Sequence, residues 1–171
     1  MSDDTRHPAT LPDDELWSQC HVGKSRSSGP GGQHRNKVET LVTITHDPTG
    51  VAAHAGERRS AVENSKVAMF RLRLALAVKI RCPVPIGDAR SDLWRSRTKD
   101  RRIVCNPEHR DFPSLLAEAL DMIEACRYDA AKAATRLDVS TTQLVRFVAE
   151  HPAAMTWWNQ RRAERRLGKL K

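Results

Sequence analysis

Val38-Glu39-Thr40-Leu41-Val42-Thr43-Ile44-Thr45 contains two interleaved sets of residues: Val38, Thr40, Val42 and Ile44 in one, and Glu39, Leu41, Thr43 and Thr45 in the other. A period of two rich in β-branched residues predicts a strand, whose successive side chains point to opposite faces. Asp47-Pro48-Thr49-Gly50 follows, and this is turn chemistry: Pro fixes φ and Gly supplies a permissive position. Val51 to Ala55 then returns as the second arm of a hairpin. Ser60 followed by Glu63 is a capping-box pattern that starts a helix. Val67, Phe70, Leu74 and Val78 form its expected apolar face, Lys66, Arg73 and Lys79 decorate the others, and Pro83 and Pro85 stop it. Strand, hairpin and helix in that order predict a small α+β sandwich, a mixed sheet packed on a helix.

Immediately upstream lies Arg26-Ser27-Ser28-Gly29-Pro30-Gly31-Gly32-Gln33. No acid occurs between Val22 and Val38, while Lys24, Arg26, Arg35 and Lys37 supply cations on both sides. Glycine loses more chain entropy on folding than any other residue and is kept where a Cβ would forbid the backbone. The loop is therefore expected to present a backbone N–H at Gln33, with the cations drawing it toward something polyanionic.

The composition agrees. A chain of 171 residues has room for one ordinary domain or two small ones. A net charge of +8 points to a polyanionic partner, because Lys and Arg gain affinity by releasing counterions from phosphates. The charge is segregated, with a net of −4 over residues 1–16 and +5 over residues 156–171. No apolar run is long enough to span a bilayer, and the acidic N-terminus lacks the apolar core of a secretory signal. Cys20, Cys82, Cys105 and Cys126 are widely spaced without a CxxC, the pattern of reduced thiols in a cytoplasmic protein that binds no metal. The alternative, a zinc site built from Cys105, His109 and another Cys, lacks a paired knuckle.

The Gly-Gly-Gln loop resembles the GGQ motif of class I peptide chain release factors. The resemblance continues through His34-Arg35-Asn36-Lys37-Val38-Glu39-Thr40, Val42-x-Ile44-x-His46, Pro48-Thr49-Gly50, Arg59-Ser60, Asn64 and Ala68-Met69, over about residues 11–81. One departure is Arg35, where the family usually has an apolar residue. The resemblance implies hydrolysis of the peptidyl-tRNA ester in the ribosomal peptidyl transferase centre. Gly31, Gly32 and Gln33 are then the catalytic residues. The Gln33 backbone N–H stabilises the developing oxyanion, its side chain helps admit water, and the two glycines permit the backbone conformation. Ribosomal RNA supplies the pocket, which accounts for a chain with no GxSxG, no HExxH and no paired metal motif. His34 is a candidate general base, although a lone His beside a basic loop is more often structural. No cofactor is implied.

Leu11-Pro12-Asp13-Asp14-Glu15-Leu16 resembles the short lead-in of stand-alone ribosome-rescue hydrolases, which implies action without codon reading. The implied partner is the ribosome, through large-subunit rRNA and peptidyl-tRNA, with the basic tail in the small-subunit mRNA channel; the protein is expected to be a monomer that binds no membrane. The candidate RNA-binding residues are Lys24, Arg26, Arg35 and Lys37 around the loop, and Arg161, Arg162, Arg165, Arg166, Lys169 and Lys171 in the tail. Two alternatives stay open: an accessory release factor that needs a decoding partner, and a noncatalytic RNA-binding regulator built on a GGQ scaffold.

The expected organisation is an acidic arm over residues 1–10, the GGQ domain over 11–81, a Pro-rich basic connector over 82–112, a helical module over 113–158 and a basic tail over 159–171. In the connector, Ile103-Val104-Cys105 reads as a short strand or a buried loop. The module is helix-turn-helix-like: Ala133, Ala134, Leu137, Val139 and Leu144 have the spacing of its core, and Asp138 occupies the tight turn where Gly is usual. Ser140 is expected to N-cap the next helix, and Pro152 to begin a fourth. Thr141, Thr142, Gln143 and Arg146 are either groove-facing or a solvated face. Trp157 and Trp158 either stack on RNA bases or close a small helical core.

Overall fold

In the computed structural model, which describes residues 6–25 and 40–171, the alternating stretch forms the central strand of a three-stranded sheet. The order is β1 (Cys20–Ser25), β2 (Leu41–His46) and β3 (Val51–Ala55). Val42, Ile44 and His46 are buried on one face of β2, as the period of two requires. Val38 and Glu39 lie outside the described residues. Both described pairings are antiparallel rather than mixed. For β2 and β3 the physical reason is the short reversal between them: Asp47–Gly50 can join only antiparallel neighbours, and Gly50 sits at φ +67°.

Helix α1 (Asp13–Ser18) precedes the sheet and the long helix α2 (Ala61–Lys79) packs on β2 and β3. The face that α2 buries differs from the expected one. Asn64, Ala68, Met69, Leu72, Arg73, Leu76 and Ala77 are buried, whereas Val67, Phe70, Leu74 and Val78 are half-buried. Both sets repeat at helical spacing, and polar and apolar residues are intermixed round the helix, so periodicity alone cannot choose between them. Arg73 was expected outside and is only 8% exposed. Its guanidinium donates to the Ala9 carbonyl at 2.9 Å and to Asp13 Oδ1 at 2.7 Å. The aliphatic stem lies in the core while the head reaches these oxygens.

The chain divides into two compact units, one of Pro8–Lys79 and one of Ile80–Lys171 with the N-terminal residues up to His7. The second contains more regular structure than a connector would. Helix α3 (Asp92–Arg97) and a hairpin of β4 (Thr98–Lys99) with β5 (Arg102–Ile103) lie within residues 82–112. Trp94, fully buried, donates its Nε1–H to the Leu137 carbonyl at 2.8 Å and meets Phe147 edge-on at 6.0 Å. A six-residue helix is too short to show a period, which is why the sequence reads there as irregular.

Helices α4 (Phe112–Ala125), α5 (Ala130–Arg136), α6 (Thr141–Ala149) and α7 (Pro152–Glu164) follow. Asp129 and Ser140 cap α5 and α6 by accepting the Lys132 and Gln143 amides, and Pro152 opens α7. Asp138 stands between α5 and α6 at φ 55°. Ala133, Leu137, Val139 and Leu144 are all fully buried, and so is Trp158, whose Nε1–H donates to the Tyr128 carbonyl at 3.2 Å. Trp157 is half-buried, edge-on to Tyr128 and beneath the Arg81 guanidinium. After α7 the chain reverses at Arg166 (φ 56°), and Leu170 exchanges two hydrogen bonds with the Asn159 side chain. The tail thus folds back along α7. Among the described residues no helix is long and apolar enough to cross a membrane.

Candidate functional site

Gly31, Gly32 and Gln33, together with Arg26, His34, Arg35 and Lys37, lie outside the described residues. The structure does describe the frame that holds the two ends of this segment. In the β1–β2 register Ser25 is opposite Leu41 and Lys24 opposite Val42, so the segment leaves and re-enters the sheet at paired positions. Lys24 is exposed on the departing strand.

The re-entry point is fixed by one side chain. Asn64, fully buried on α2, donates from Nδ2 to the Thr40 carbonyl at 2.7 Å and to the Arg58 carbonyl at 2.9 Å, and its Oδ1 accepts the Arg58 amide at 2.9 Å. One amide thereby ties the end of the loop, the β3–α2 link and the helix together. Such a group is retained in a core only because its donors and acceptor are all matched. Gly56 adds a steric condition, since a Cβ there would stand 2.9 Å from Leu41 Cδ1, immediately beyond the loop. At the end of the sheet away from the loop, His46 bonds the Gln19 side chain at 2.9 Å and the Thr49 hydroxyl at 2.8 Å. Both ring nitrogens are engaged there, so His46 positions the start of β1 against the hairpin turn.

The tail cations are placed differently from one another. Arg161 pairs with Glu164 at 3.1 Å. Arg162 donates to the Tyr128 carbonyl at 2.6 Å and to the Gly168 carbonyl at 2.8 Å, so it closes the end of α7. Arg165 lies 5.1 Å from the centre of the Tyr128 ring, a cation–π distance. Arg166, Lys169 and Lys171 are exposed.

The Cys105–His109 pair does not gather a metal-ligand set among the described residues, and both His109 nitrogens face neighbours, Arg97 and the Asp111 amide. A cluster without any signal in the sequence consists of His7, Cys82 and Asp121, whose ligand atoms lie within 4.8 Å of one another. Asp121 Oδ1 already accepts from the Arg81 guanidinium at 2.9 Å and from the Cys82 amide at 3.1 Å. Burial pushes the Asp121 carboxyl up to about 7 and the His7 imidazole down to about 4. With a guanidinium on the carboxylate, the group is a buried ion-pair network, and an added cation would face Arg81. Its members are far apart in sequence, so no spacing could reveal it.

Comparison with known proteins places this frame. Residues 15–102 match the RF-1 domain family. The chain is 44% identical over 68 residues to the chloroplastic peptide chain release factor PrfB1 of Arabidopsis thaliana, which is 40% of this chain and 14% of that protein. It is 46% identical over 59 residues to peptide chain release factor 1 of Ureaplasma parvum, which is 34% of this chain and 16% of that protein. It is 38% identical over 80 residues to peptide chain release factor 1 of a Nocardioides species, which is 46% of this chain and 22% of that protein. The chain thus spans less than a quarter of the length of these relatives. By the RF-1 domain match and these relatives, the chain belongs to the class I peptide chain release factor family.

Proposed function

We propose that the protein hydrolyses the peptidyl-tRNA ester in the ribosomal peptidyl transferase centre, without reading a codon. The observation that carries this reading is the frame: the segment bearing Gly31-Gly32-Gln33 joins the paired residues Ser25 and Leu41 and is anchored at Thr40 by Asn64, within a match to the release-factor family. Water adds to the ester carbonyl, the carbonyl oxygen becomes an oxyanion, and collapse expels the tRNA 3′ oxygen as a hydroxyl with the peptide left as an acid. The Gln33 backbone N–H is the donor for that oxyanion, a role in which one preorganised donor contributes ~3 kcal/mol. Gly31 and Gly32 let the backbone present it. Lys24, Arg26, Arg35 and Lys37 meet rRNA phosphates. The exposed tail cations Arg166, Lys169 and Lys171 do the same toward the small subunit. Codon independence rests on the likeness of residues 11–16 to stand-alone rescue hydrolases, and cytoplasmic action on four widely spaced cysteines without a CxxC.

Peptide release from ribosomes carrying truncated or intact messages tests the proposal. Gly32→Ala should lower release by about 100-fold or more, because the lost contribution is that of an oxyanion donor, while ribosome binding stays near wild type. Gln33→Ala should be milder, since the backbone donor remains. Wild-type release by Gly32→Ala would overturn the catalytic assignment. Release confined to stop codons on intact messages would replace it with the accessory-factor reading. Binding by the wild-type chain without release would leave a noncatalytic RNA-binding regulator.

A further inference from the structure

We propose that the β4–β5 hairpin tip and the exposed face of α6 together form a second phosphate-binding surface, which docks on the backbone of an RNA double helix. The choice of RNA rests on the ribosomal reading above; the surface itself rests on the following geometry.

The hairpin turns through Asp100 and Arg101, both at positive φ (48° and 59°). Two consecutive left-handed residues make a tight reversal that suits the twist of two short strands. Lys99 and Arg102 are paired across it and exposed. The tip is not a free appendage. The Ser140 amide donates to the Arg101 carbonyl at 3.1 Å, and the Arg101 guanidinium donates to the Val139 carbonyl at 3.3 Å. Ser140 is the N-cap of α6, so these bonds fasten the hairpin to the start of that helix. Cations on a preorganised element lose less entropy on binding than cations on a mobile one.

The cations on this surface have no acidic partner among the described residues. Arg90, Arg95 and Arg97, nearby in sequence, are paired with Asp88, Asp92, Asp111 and Asp138. Lys99, Arg101, Arg102 and Arg146 are exposed, and none of them belongs to the ion pairs among the described residues. Only one acid, Asp100, is at the tip. Thr141 and Thr142 add exposed hydroxyl donors at the positive end of α6, and Arg146 lies one turn beyond Thr142 on the same side of the helix. Cations, hydroxyls and a helix start are groups that contact phosphate and sugar, and they set position rather than sequence. The exposed face carries no aromatic ring for stacking on single-stranded bases. The A-form major groove is too deep and narrow for a helix to enter, so contact there runs along the backbone and the shallow groove.

The test uses the full-length chain, an RNA duplex of roughly 20 base pairs, the matching DNA duplex and an RNA single strand, with affinities measured over a salt series. The triple variant Lys99→Ala, Arg102→Ala and Arg146→Ala removes three exposed side chains whose loss leaves the core intact, and its melting curve should overlay the wild type. It should bind the RNA duplex at least tenfold more weakly and reduce the log–log salt slope by about 2 to 3. Unchanged RNA-duplex affinity and slope would overturn the proposal. DNA-duplex binding tighter than RNA, lost in the triple variant, would overturn the choice of RNA. Release assays separate this surface from the hydrolase reading. If the surface stands and the hydrolase reading also stands, the triple variant needs more protein for half-maximal release but reaches the same saturating rate. Duplex binding lost in the variant, in a chain that releases no peptide, would keep the surface while the hydrolase reading falls.

Discussion

Asn64 shows how one side chain can carry the geometry of a site that it does not enter. Its fully buried amide satisfies the Thr40 and Arg58 carbonyls and the Arg58 amide through part-buried hydrogen bonds. Asn64→Leu keeps similar bulk and leaves those three backbone groups without that partner. Each such loss costs about 1–3 kcal/mol, so the variant should lose several kcal/mol in urea unfolding. Peptide release should fall with it at temperatures where the chain is still folded, because the return of the loop to β2 is no longer fixed. Wild-type stability in Asn64→Leu would show that water or a backbone shift replaces the amide. The residue was legible in the sequence as a position within the family resemblance. Its partners were not, since they lie 24 and 6 positions away and are backbone atoms. Arg73 was misread for the opposite reason: a charged residue at helical spacing signals a solvated face, and only the fold reveals the Ala9 and Asp13 oxygens that let it turn inward.

Elements were legible where a local rule fixed them. The turn at Gly50, the cap at Ser140 and the Pro152 start all follow from single residues. Asp138 is the sharpest case, a non-glycine residue at φ 55° in the turn between α5 and α6. The left-handed region costs an ordinary L-residue about 1–2 kcal/mol, and a β-branched one more. Asp138→Val should therefore destabilise the chain by about 2 kcal/mol. Asp138→Gly removes the backbone cost but also removes the exposed ion pair with Arg90, which is worth about 0–1 kcal/mol, so it should stay within about 1 kcal/mol of wild type. Equal denaturation midpoints for the Val and Gly variants would mean that the turn relaxes. Legibility was poorer for α3 and the β4–β5 hairpin, of which only the strand at Ile103 was among the readings: elements of two to six residues have no period, and long-range bonds hold them, Trp94 to Leu137 for α3 and Ser140 to Arg101 for the hairpin.

At the scale of the whole molecule, the interactions that define the first unit close within it. Leu16, Val42, Ile44, Ala55, Ala68, Leu72 and Leu76 are fully buried, and the partners of both Asn64 and Arg73 belong to the same Pro8–Lys79 stretch. His7 and Arg81, by contrast, join the Asp121 network of the second unit. We therefore propose that a fragment ending at Lys79 folds alone, a little short of the sequence-based boundary at residue 81. A domain of this size buries only about 60% of its unfolded surface, so the fragment should be marginal. It should unfold in one cooperative step, with a urea slope near 1 kcal/mol per molar. Because it retains Gly31, Gly32 and Gln33, it should release peptide at high concentration, and Gly32→Ala in the fragment should abolish that release. Half-maximal release should need more fragment than full-length chain, since Lys99, Arg102, Arg146 and the tail cations have been removed. A fragment with no cooperative transition would show that the second unit supplies part of its stability, and the proposed boundary would then mark compactness without independent folding.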